Sequence, residues 1–383
     1  MRATRAAFMR GGTSKAIMFR TEDLPADRQA WDPIFLQAMG SPDPYGRQLD
    51  GMGGGVSSLS KVCVVGAPSR SDADVDYTFA QISIDTATVD YAGNCGNMSS
   101  AIGPFALEAG LIPPQHGDEG TVRIHNTNTG KIIVARFPLD DGRLATDGDF
   151  ALDGVAGTAA PIRLDFTDPG GSKTGKLLPT GNPTDWLDVA GFGRVRASLI
   201  DAANPGVHVA AADFGMTGIE LPEEIERNTE LMQQLEALRQ AAAVAMGIVP
   251  DLAAAKRMVS IPKVALLSAP TENPTLSGRA VPAADMDILA RMISVGQPHR
   301  ATPLTGALCL AVGCRVPGSI AHGLTRSSDP MAPIRIGHPS GTITVAAEVH
   351  ADNAGVRVPY ATVFRTARLL FRGEVLYREA APA

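Results

Sequence analysis

The chain has 383 residues, which is enough for two or three domains with sizeable hydrophobic cores. Its 34 lysines and arginines are outnumbered by 40 aspartates and glutamates, for a formal net charge of -6, so it lacks the basic surface that nucleic-acid backbones require. Its 40 glycines and 28 prolines lie among β-branched runs, which argues against an all-helical fold and indicates strands joined by tight turns.

The cysteines indicate reduced thiols rather than a metal site. Cys63, Cys95, Cys309 and Cys314 form no C-x-x-C pair, and none lies beside a histidine at metal-ligand spacing. The N-terminal segment lacks the apolar stretch of a signal peptide, and the longest apolar run, at 304–312, is too short to span a bilayer. We therefore expect a soluble protein of the cytoplasm.

In the first half, the spacing of apolar residues predicts a strand that leads into the glycine loop Arg10-Gly11-Gly12-Thr13-Ser14-Lys15. A second glycine-rich loop, at 51–60, leads directly into an apolar strand that begins at Lys61. The polar segment 93–100 opens an apolar helix, which Gly110 closes. The predicted strands are 3–9, 61–65, 77–84, 121–126 and 131–137, and the predicted helices are 27–39 and 101–109.

A turn-rich stretch at 165–182 marks the predicted domain boundary. We predict an N-terminal domain of residues 1–183, joined by a C-terminal strand at 362–383, and a second domain of residues 184–361. Pro222 suits the first position of a long amphipathic helix. Beyond the boundary the predicted strands are 195–200, 207–212, 264–268, 343–348 and 362–374, and further helices are predicted at 283–293 and 304–313.

Each half thus contains one very apolar helix whose start is marked by small and polar residues, at 94–100 and 302–306. The pattern indicates an internal duplication of architecture without a repeat in sequence. A helix that is apolar on all sides must be buried, here inside a curved sheet. Its free N–H groups then face the loop that precedes it, and two such ends would bind an anion with several carboxylates.

Nucleotide-binding and hydrolase motifs are not supported. The run 170–177 begins like a P-loop, but Leu177 replaces the hydroxyl that binds Mg²⁺ and Pro179 prevents a continuing helix. The chain contains neither a G-x-G-x-x-G loop after a strand nor a G-x-S-x-G elbow.

Cys95, within Asn94-Cys95-Gly96-Asn97, is the most distinctive local feature. The positive end of a helix favours a thiolate, so a cysteine there suits proton transfer. The alternative is a small apolar side chain that fills a tight turn.

Lys61 starts an apolar strand, where partial burial disfavours the charged amine and suits it to act as a base. The alternative is a strand-end lysine whose amine reaches water. Arg10 and Arg300 adjoin polar loops and could clamp carboxylates with paired hydrogen bonds, or could be solvated surface residues.

Five blocks in order along the chain resemble the 2-methylaconitate cis-trans isomerase family, which also contains 4-oxalomesaconate tautomerase and methylitaconate isomerase. The blocks are MRGGTSK at 9–15, GNCGNMSSAIGPF at 93–105, LPTGN at 178–182, DAANP at 201–205 and HPSG at 338–341. The resemblance covers essentially the whole chain.

This resemblance implies an α+β fold like that of diaminopimelate epimerase, with two similar domains, each a central apolar helix wrapped by a curved β-sheet, and the active site between them. It implies a proton shift that moves a C=C bond in an unsaturated tricarboxylate, without a cofactor. Lys61 and Cys95 fall at the positions of the two acid/base groups of the family. The epimerases carry a second catalytic cysteine where this chain has Pro303, which disfavours an amino-acid racemase.

We therefore predict an isomerase with Lys61 and Cys95 as catalytic residues and no metal. An accessory protein to an aconitase-like iron-sulfur dehydratase is the alternative function, and such a dehydratase or a second copy of the chain is the partner to test. The predicted substrate-binding residues are Arg10, Thr13, Ser14, Ser58, Ser60, Asn94, Gly96, Asn97, Met98, His299, Arg300, Thr305 and Gly306.

Overall fold

The computed structural model describes residues 1–91, 95–258, 260–294, 296–352 and 355–378. The chain forms two compact units, Met1–Asp165 with Phe364–Ala383, and Phe166–Val363. The predicted boundary after residue 183 lies downstream of this division. The turn-rich stretch belongs to the second unit because the backbone N–H groups of Lys173 and Thr174 donate to the carboxylate of Asp201, at 2.8 and 2.7 Å.

In the first unit the predicted apolar helix is α2, and it packs against several strands of the unit's sheet. The helices of this unit are α1 (Trp31–Met39) and α2 (Gly96–Glu108). The strands are β1 (Arg2–Gly11), β2 (Ser14–Arg20), β3 (Lys61–Gly66), β4 (Val75–Ile82), β5 (Val89–Asp90), β6 (Glu119–Asn126), β7 (Lys131–Asp140), β8 (Arg143–Leu144), β9 (Phe150–Ala151), β10 (Thr158–Ala159) and β11 (Ile162–Thr167), within which the chain enters the second unit.

The second unit also packs an apolar helix, α6, against its sheet. Its helices are α3 (Pro222–Arg227), α4 (Thr229–Ala245), α5 (Leu252–Arg257), α6 (Leu304–Arg315) and α7 (Ile320–Leu324). Its strands are β12 (Asp185–Val189), β13 (Gly193–Ala202), β14 (Asn204–Ala210), β15 (Lys263–Ser268), β16 (Asn273–Pro274), β17 (Ala280–Val281), β18 (Ile288–Ser294), β19 (Gln297–Pro298), β20 (Ile334–His338), β21 (Gly341–Asp352) and most of β22 (Gly355–Arg365). The chain returns to the first unit at Phe364, and β23 (Ala367–Tyr377) completes that unit.

The strands of the two units repeat one pairing pattern. In the first unit β1 and β2 are antiparallel, β2 and β3 parallel, β3 and β4 antiparallel, β4 and β6 parallel, and β6 and β7 antiparallel. In the second, β13, β14, β15, β18, β20 and β21 follow the same sequence of orientations. The predicted α+β fold with an internal duplication is therefore present in the strand topology.

Burial explains why α2 is mostly apolar. Met98, Ala101, Ile102 and Phe105 are all at most 6% exposed, and the serines of the helix, Ser99 and Ser100, are buried with them. A Cβ on Gly103 would lie 2.8 Å from the ring of Phe137, so this glycine allows the helix to approach β7 closely.

Three predicted elements differ in the structure. The predicted helix 283–293 is instead a short 3₁₀ turn at 283–285 followed by β18, in which residues 288–293 are all buried, and a short, mostly apolar stretch fits a buried strand as well as a helix. The helix after Pro222 is interrupted at Asn228, whose side chain caps α4 by accepting from the Leu231 N–H. The final predicted strand is two strands, β22 and β23, separated at Thr366.

Within the described part of the chain, no helix is long and apolar enough to cross a membrane.

Candidate active site

In the first unit, the β1–β2 turn lies directly against the start of α2, and two glycines make this approach possible. A Cβ on Gly11 would lie 2.7 Å from the carbonyl oxygen of Asn97. Gly12 has a φ of +53°, and a Cβ there would lie 2.3 Å from Asn97 Oδ1. Any side chain at either position would therefore push the turn away from the helix.

Cys95 is the N-cap residue of α2, and the predicted position at a helix start is confirmed. It is partly exposed, whereas Cys63, Cys309 and Cys314 are buried. Gly96 and Met98 lie buried in the first helical turn. Asn94, predicted to bind substrate, lies outside the described residues.

Asn97 links the first turn of α2 to two other segments. Its Nδ2 donates to Thr13 Oγ1 at 3.1 Å, so the tip of the glycine loop is tied to the helix. Its Oδ1 accepts from Nε of Arg365 at 3.0 Å. Of the residues predicted from sequence, Thr13, Cys95, Gly96, Asn97 and Met98 are thus brought together at this point.

Sequence analysis missed Arg365, which lies 268 residues after Asn97. Its side chain is buried, with the residue 5% exposed, and Nη1 donates to the Phe364 carbonyl at 2.9 Å. Burial lowers the pKa of Arg365 to about 10, and the nearby Cys95 acts in the opposite direction. No local motif signals this residue, because its environment is made by segments remote in sequence.

Lys61 is 7% exposed and begins β3 as predicted. Its Nζ donates to Oε1 of Gln81 and lies 5.1 Å from the centre of the Phe79 ring. Gln81 is held in turn by donating to the Ser60 carbonyl at 2.8 Å and the Ser57 carbonyl at 3.1 Å. Among the described residues Lys61 has no carboxylate partner, so the structure holds a buried amine next to a neutral acceptor.

The helix that Cys95 begins, α2, packs against the strand that Lys61 begins, β3, and Cys63 and Tyr77 lie in this region. Burial raises the pKa of the Cys63 thiol, which is also sensitive to the charges of both Cys95 and Lys61. The Tyr77 hydroxyl lies 3.8 Å from Cys63 Sγ, and burial raises the pKa of Tyr77, with Cys63 and Cys95 contributing in the same direction.

Two of the predicted ligands, Arg10 and Ser60, make hydrogen bonds within the fold. Nη1 of Arg10 donates to the Gly12 carbonyl and to both oxygens of Thr366, at 2.9 to 3.0 Å. The hydroxyl of Ser60 is buried and donates to the Ile82 carbonyl while accepting from Gln48. These groups stabilise the turn and the strand start that carry the site. Ser14, buried at the end of the turn, and Ser58, partly exposed before β3, complete the predicted set in this unit.

The second unit places a different set of groups around the start of α6. Thr305 and Gly306 lie in the first turn of that helix, and Pro303 is its N-cap residue. Lys263, which sequence analysis also missed, lies beside Gly306, since a Cβ there would lie 3.7 Å from Lys263 Cδ, an ordinary van der Waals distance. Its Nζ donates to Ser294 Oγ at 2.8 Å, and burial lowers its pKa.

His299 and Arg300 precede α6, as predicted. Desolvation lowers the pKa of His299, with the charge of Lys263 acting in the same direction. Its Nδ1 accepts from the Ala301 N–H at 3.3 Å, which leaves Nε2 as the donor of the neutral ring. The Arg300 carbonyl accepts from Ser340 Oγ at 2.5 Å. These cationic and donor groups suit the binding of an anion.

Comparison with known proteins gives a consistent picture. The family model described as PrpF protein matches residues 1–378. The 2-methyl-aconitate isomerase of Shewanella oneidensis is 39% identical over 97% of this chain and 96% of its own length. The 4-oxalomesaconate tautomerase of Pseudomonas putida is 40% identical over 96% of this chain and 94% of its own. These names support the isomerase interpretation and give no support to the accessory-protein alternative.

Solved structures agree on the fold. A methylitaconate-delta-isomerase superposes with a TM-score of 0.89 at 38% identity, covering 98% of this chain and 95% of that one. A probable proline racemase from Agrobacterium radiobacter, at 13% identity over 99% of this chain and 94% of its own, has a TM-score of 0.52, which confirms the epimerase-like fold alone. The family match over nearly the whole chain, together with relatives of this identity, shows that the chain belongs to the PrpF family.

Proposed function

We propose that this protein is an isomerase that moves a proton, and with it a C=C bond, within an unsaturated tricarboxylic acid, using only its own side chains. The observation that carries the proposal is the pair of groups in the first unit. Lys61 is a buried amine without a carboxylate among the described residues, and Cys95 begins α2 in the same neighbourhood. The names of the relatives support the substrate class.

In this proposal Lys61, as the free amine, removes a proton from the allylic carbon. The electron pair left behind delocalises through the C=C bond into an adjacent carboxylate. A proton is then added at the far carbon of the allylic system, which leaves the double bond one position away. Gln81 holds the amine in place, and Cys95 donates the second proton or stabilises the intermediate.

The negative charge that develops on the carboxylate oxygens needs preorganised donors. The free N–H groups of the first turn of α2 supply such donors, and the charge of Arg365 adds to the field there. We propose that Thr13, Ser14, Ser58 and the residues 94–98 contact substrate in the first unit. In the second unit we assign carboxylate binding to Lys263, His299, Arg300, Thr305 and Gly306.

The test is NMR of the purified protein with a panel of acids in D₂O: 2-methylaconitate, 4-oxalomesaconate, methylitaconate and aconitate. We expect deuterium to enter the allylic positions of at least one acid while its isomer accumulates. Deuterium exchange detects proton transfer even when the substrate and its isomer are already at equilibrium and no net conversion is seen. A folded protein that exchanges protons in none of these acids would overturn the proposal.

A further inference from the structure

The hydrogen bonds that support the Lys61 amine extend beyond Gln81. Gln81 lies opposite Lys61 in the antiparallel pair of β3 and β4, and its Oε1 accepts from Lys61 Nζ. Its Nε2 donates to the Ser60 carbonyl at 2.8 Å and to the Ser57 carbonyl at 3.1 Å. Because Nε2 is bound to carbonyl oxygens, the side chain presents its own oxygen to the amine. The position of Lys61 Nζ therefore depends, through Gln81, on the backbone at residue 60.

A second glutamine, Gln48, fixes residue 60. It is 1% exposed, and its Nε2 donates to Ser60 Oγ at 2.7 Å and to Ser41 Oγ at 2.8 Å. Its Oε1 accepts from the Gly55 N–H at 3.0 Å. The Ser60 hydroxyl donates its own proton to a backbone carbonyl, so it is the acceptor in its bond with Gln48. Gln48 thus holds the side chain of the same residue whose carbonyl holds the other glutamine.

The glycine-rich loop at 51–60 closes around the Gln48 amide. A Cβ on Gly53 would collide with Gln48 Oε1, so the loop approaches the amide more closely than another residue type at this position allows. Gln48 has a φ of +54°, in the left-handed region that is unfavourable for a glutamine. A buried side chain with this backbone conformation persists where its surroundings require it. The loop then runs directly into Lys61 at the start of β3.

We propose that Gln48 is a positioning residue that fixes the Lys61 amine through Ser60 and Gln81. The inference rests on the proposed function, in which Lys61 is the base, and deepens it by giving the loop at 51–60 a role. Proton transfer needs the base in a near-attack geometry, and a small misplacement slows it strongly. In the second unit Pro262 precedes Lys263, so the lysine that we assign to binding has no counterpart of the Ser60 hydroxyl before it.

The experiment measures how fast N-hydroxysulfosuccinimide acetate acetylates the Lys61 amine without substrate, by mass spectrometry of the peptide that contains Lys61. Gln48→Met and Gln81→Met each replace an amide by an apolar side chain of similar length. We expect acetylation to become about threefold faster in Gln48→Met and about fivefold faster in Gln81→Met, as for the loss of one hydrogen bond. Lys263 in the same samples is the internal reference and should not change. Leu49→Ala, at an exposed neighbour of Gln48, is the matched control and should label Lys61 at the unmodified rate.

The double variant Gln48→Met/Gln81→Met separates positioning from a general loosening of the loop. If Gln48 acts through Gln81, the double variant should be acetylated at Lys61 no faster than Gln81→Met alone, whereas independent effects multiply. Multiplied rates, or an unchanged rate in Gln48→Met, would contradict the role of Gln48. If Gln48→Met does not fold, Ser60→Ala takes its place, because it removes the hydroxyl that accepts from Gln48. An unchanged rate in Ser60→Ala then overturns the proposal.

Kinetics with the active acid give a second readout. Gln48→Met should lower kcat for proton exchange about tenfold with little change in KM, because the placement of the base matters in the transition state. A raised KM with an unchanged kcat would argue against positioning. A protein with the expected acetylation rates that exchanges no substrate protons would retain the support of Lys61 by Gln48 while the proposed function fails. A protein that isomerises substrate, with Lys61 acetylation unchanged in Gln48→Met, would retain the function and lose this inference.

Discussion

The two units share a strand topology but carry different chemistry at equivalent places. A lysine begins β3 in the first unit and β15 in the second, and each donates to a polar side chain on the neighbouring antiparallel strand, Gln81 and Ser294. The central helix then begins with Cys95 in one unit and with Pro303 in the other. Both units therefore keep a lysine at the start of the equivalent strand, but the N-cap of the central helix is a cysteine in one unit and a proline in the other.

This difference shows how two units with the same strand topology can have different roles in one reaction. Both units have a helix start and a buried lysine, two features that can bind an anion and that depend on the shared topology. Proton transfer also needs a group that can lose and regain a proton at the reacting carbon, and Pro303 cannot do so. We therefore assign the chemistry to the first unit and carboxylate binding to the second.

The largest difference between the two units is expected when each lysine is replaced by alanine in turn. Lys61→Ala should reduce proton exchange into substrate by about 10³-fold, because general acid–base catalysis contributes on the order of 10² to 10⁴-fold. Lys263→Ala should mainly weaken substrate binding. NMR exchange rates in D₂O over a range of substrate concentrations separate a lower maximal rate from weaker binding in both variants, with circular dichroism as the control for folding. Near-full exchange by Lys61→Ala would exclude Lys61 as the base.

Cys95→Ser tests whether the thiol is indispensable. We expect the variant to exchange substrate protons about 10²-fold more slowly, which is still measurable and faster than Lys61→Ala. The reason is that a flexible lysine can return the proton to a second carbon on the same face of the substrate. Deuterium incorporation at each carbon of the allylic system is the measurement. Complete loss of exchange at both carbons would contradict a mechanism in which Lys61 is the single base. It would support a mechanism that needs both Lys61 and Cys95.

His208 distinguishes the cores of the two units. His208 of the second unit occupies the position that Met18 has in the first. The pair Ser198–His208 in β13 and β14 lies as many residue pairs from its hairpin turn as the pair Ala7–Met18 in β1 and β2. His208 is 1% exposed, both ring nitrogens lack partners among the described residues, and burial lowers its pKa from 6.5 to about 4.

Because unfolding restores the ordinary pKa, the unfolded chain binds the proton more tightly than the folded chain. The stability due to neutral His208 is present above pH 6.5 and is lost as the pH falls towards 4. Between pH 7 and pH 5 the free energy of unfolding should fall by about 2 kcal/mol through this residue. His208→Met, which copies the first unit, should remove that slope in urea unfolding at the two pH values. An unchanged slope would show that other groups control acid stability.

The smallest effect is expected from Arg300→Ala. A clamp that holds a carboxylate equally in the ground and transition states affects KM rather than kcat, so KM should rise about tenfold with little change in kcat. Steady-state kinetics with the active acid of the panel measure both constants. Thr325→Ala, elsewhere in the second unit, serves as the control, and an unchanged KM in Arg300→Ala would show that Arg300 is a surface residue.

Local features of the chain were predictable from sequence. The two apolar helices, the glycine turn before Ser14 and the position of Cys95 at a helix start follow from short-range spacing, because backbone conformation and burial pattern are encoded within a few residues. The five motif blocks identified the family for the same reason, since each block is contiguous. Whether residues 283–293 form a helix or a strand did not follow, because a short, mostly apolar stretch fits both.

The tertiary structure decided which polar groups are free to act. Arg10 and Ser60, expected to bind substrate, donate within the fold, whereas Arg365 and Lys263, which no motif marks, lie beside the helix starts. The cost of burying a charge and the partners that offset it depend on segments that can lie hundreds of residues apart, as Asn97 and Arg365 do. Such environments exist only once the chain has folded, which is why the sequence alone determined the scaffold and its helix starts but not the complete site.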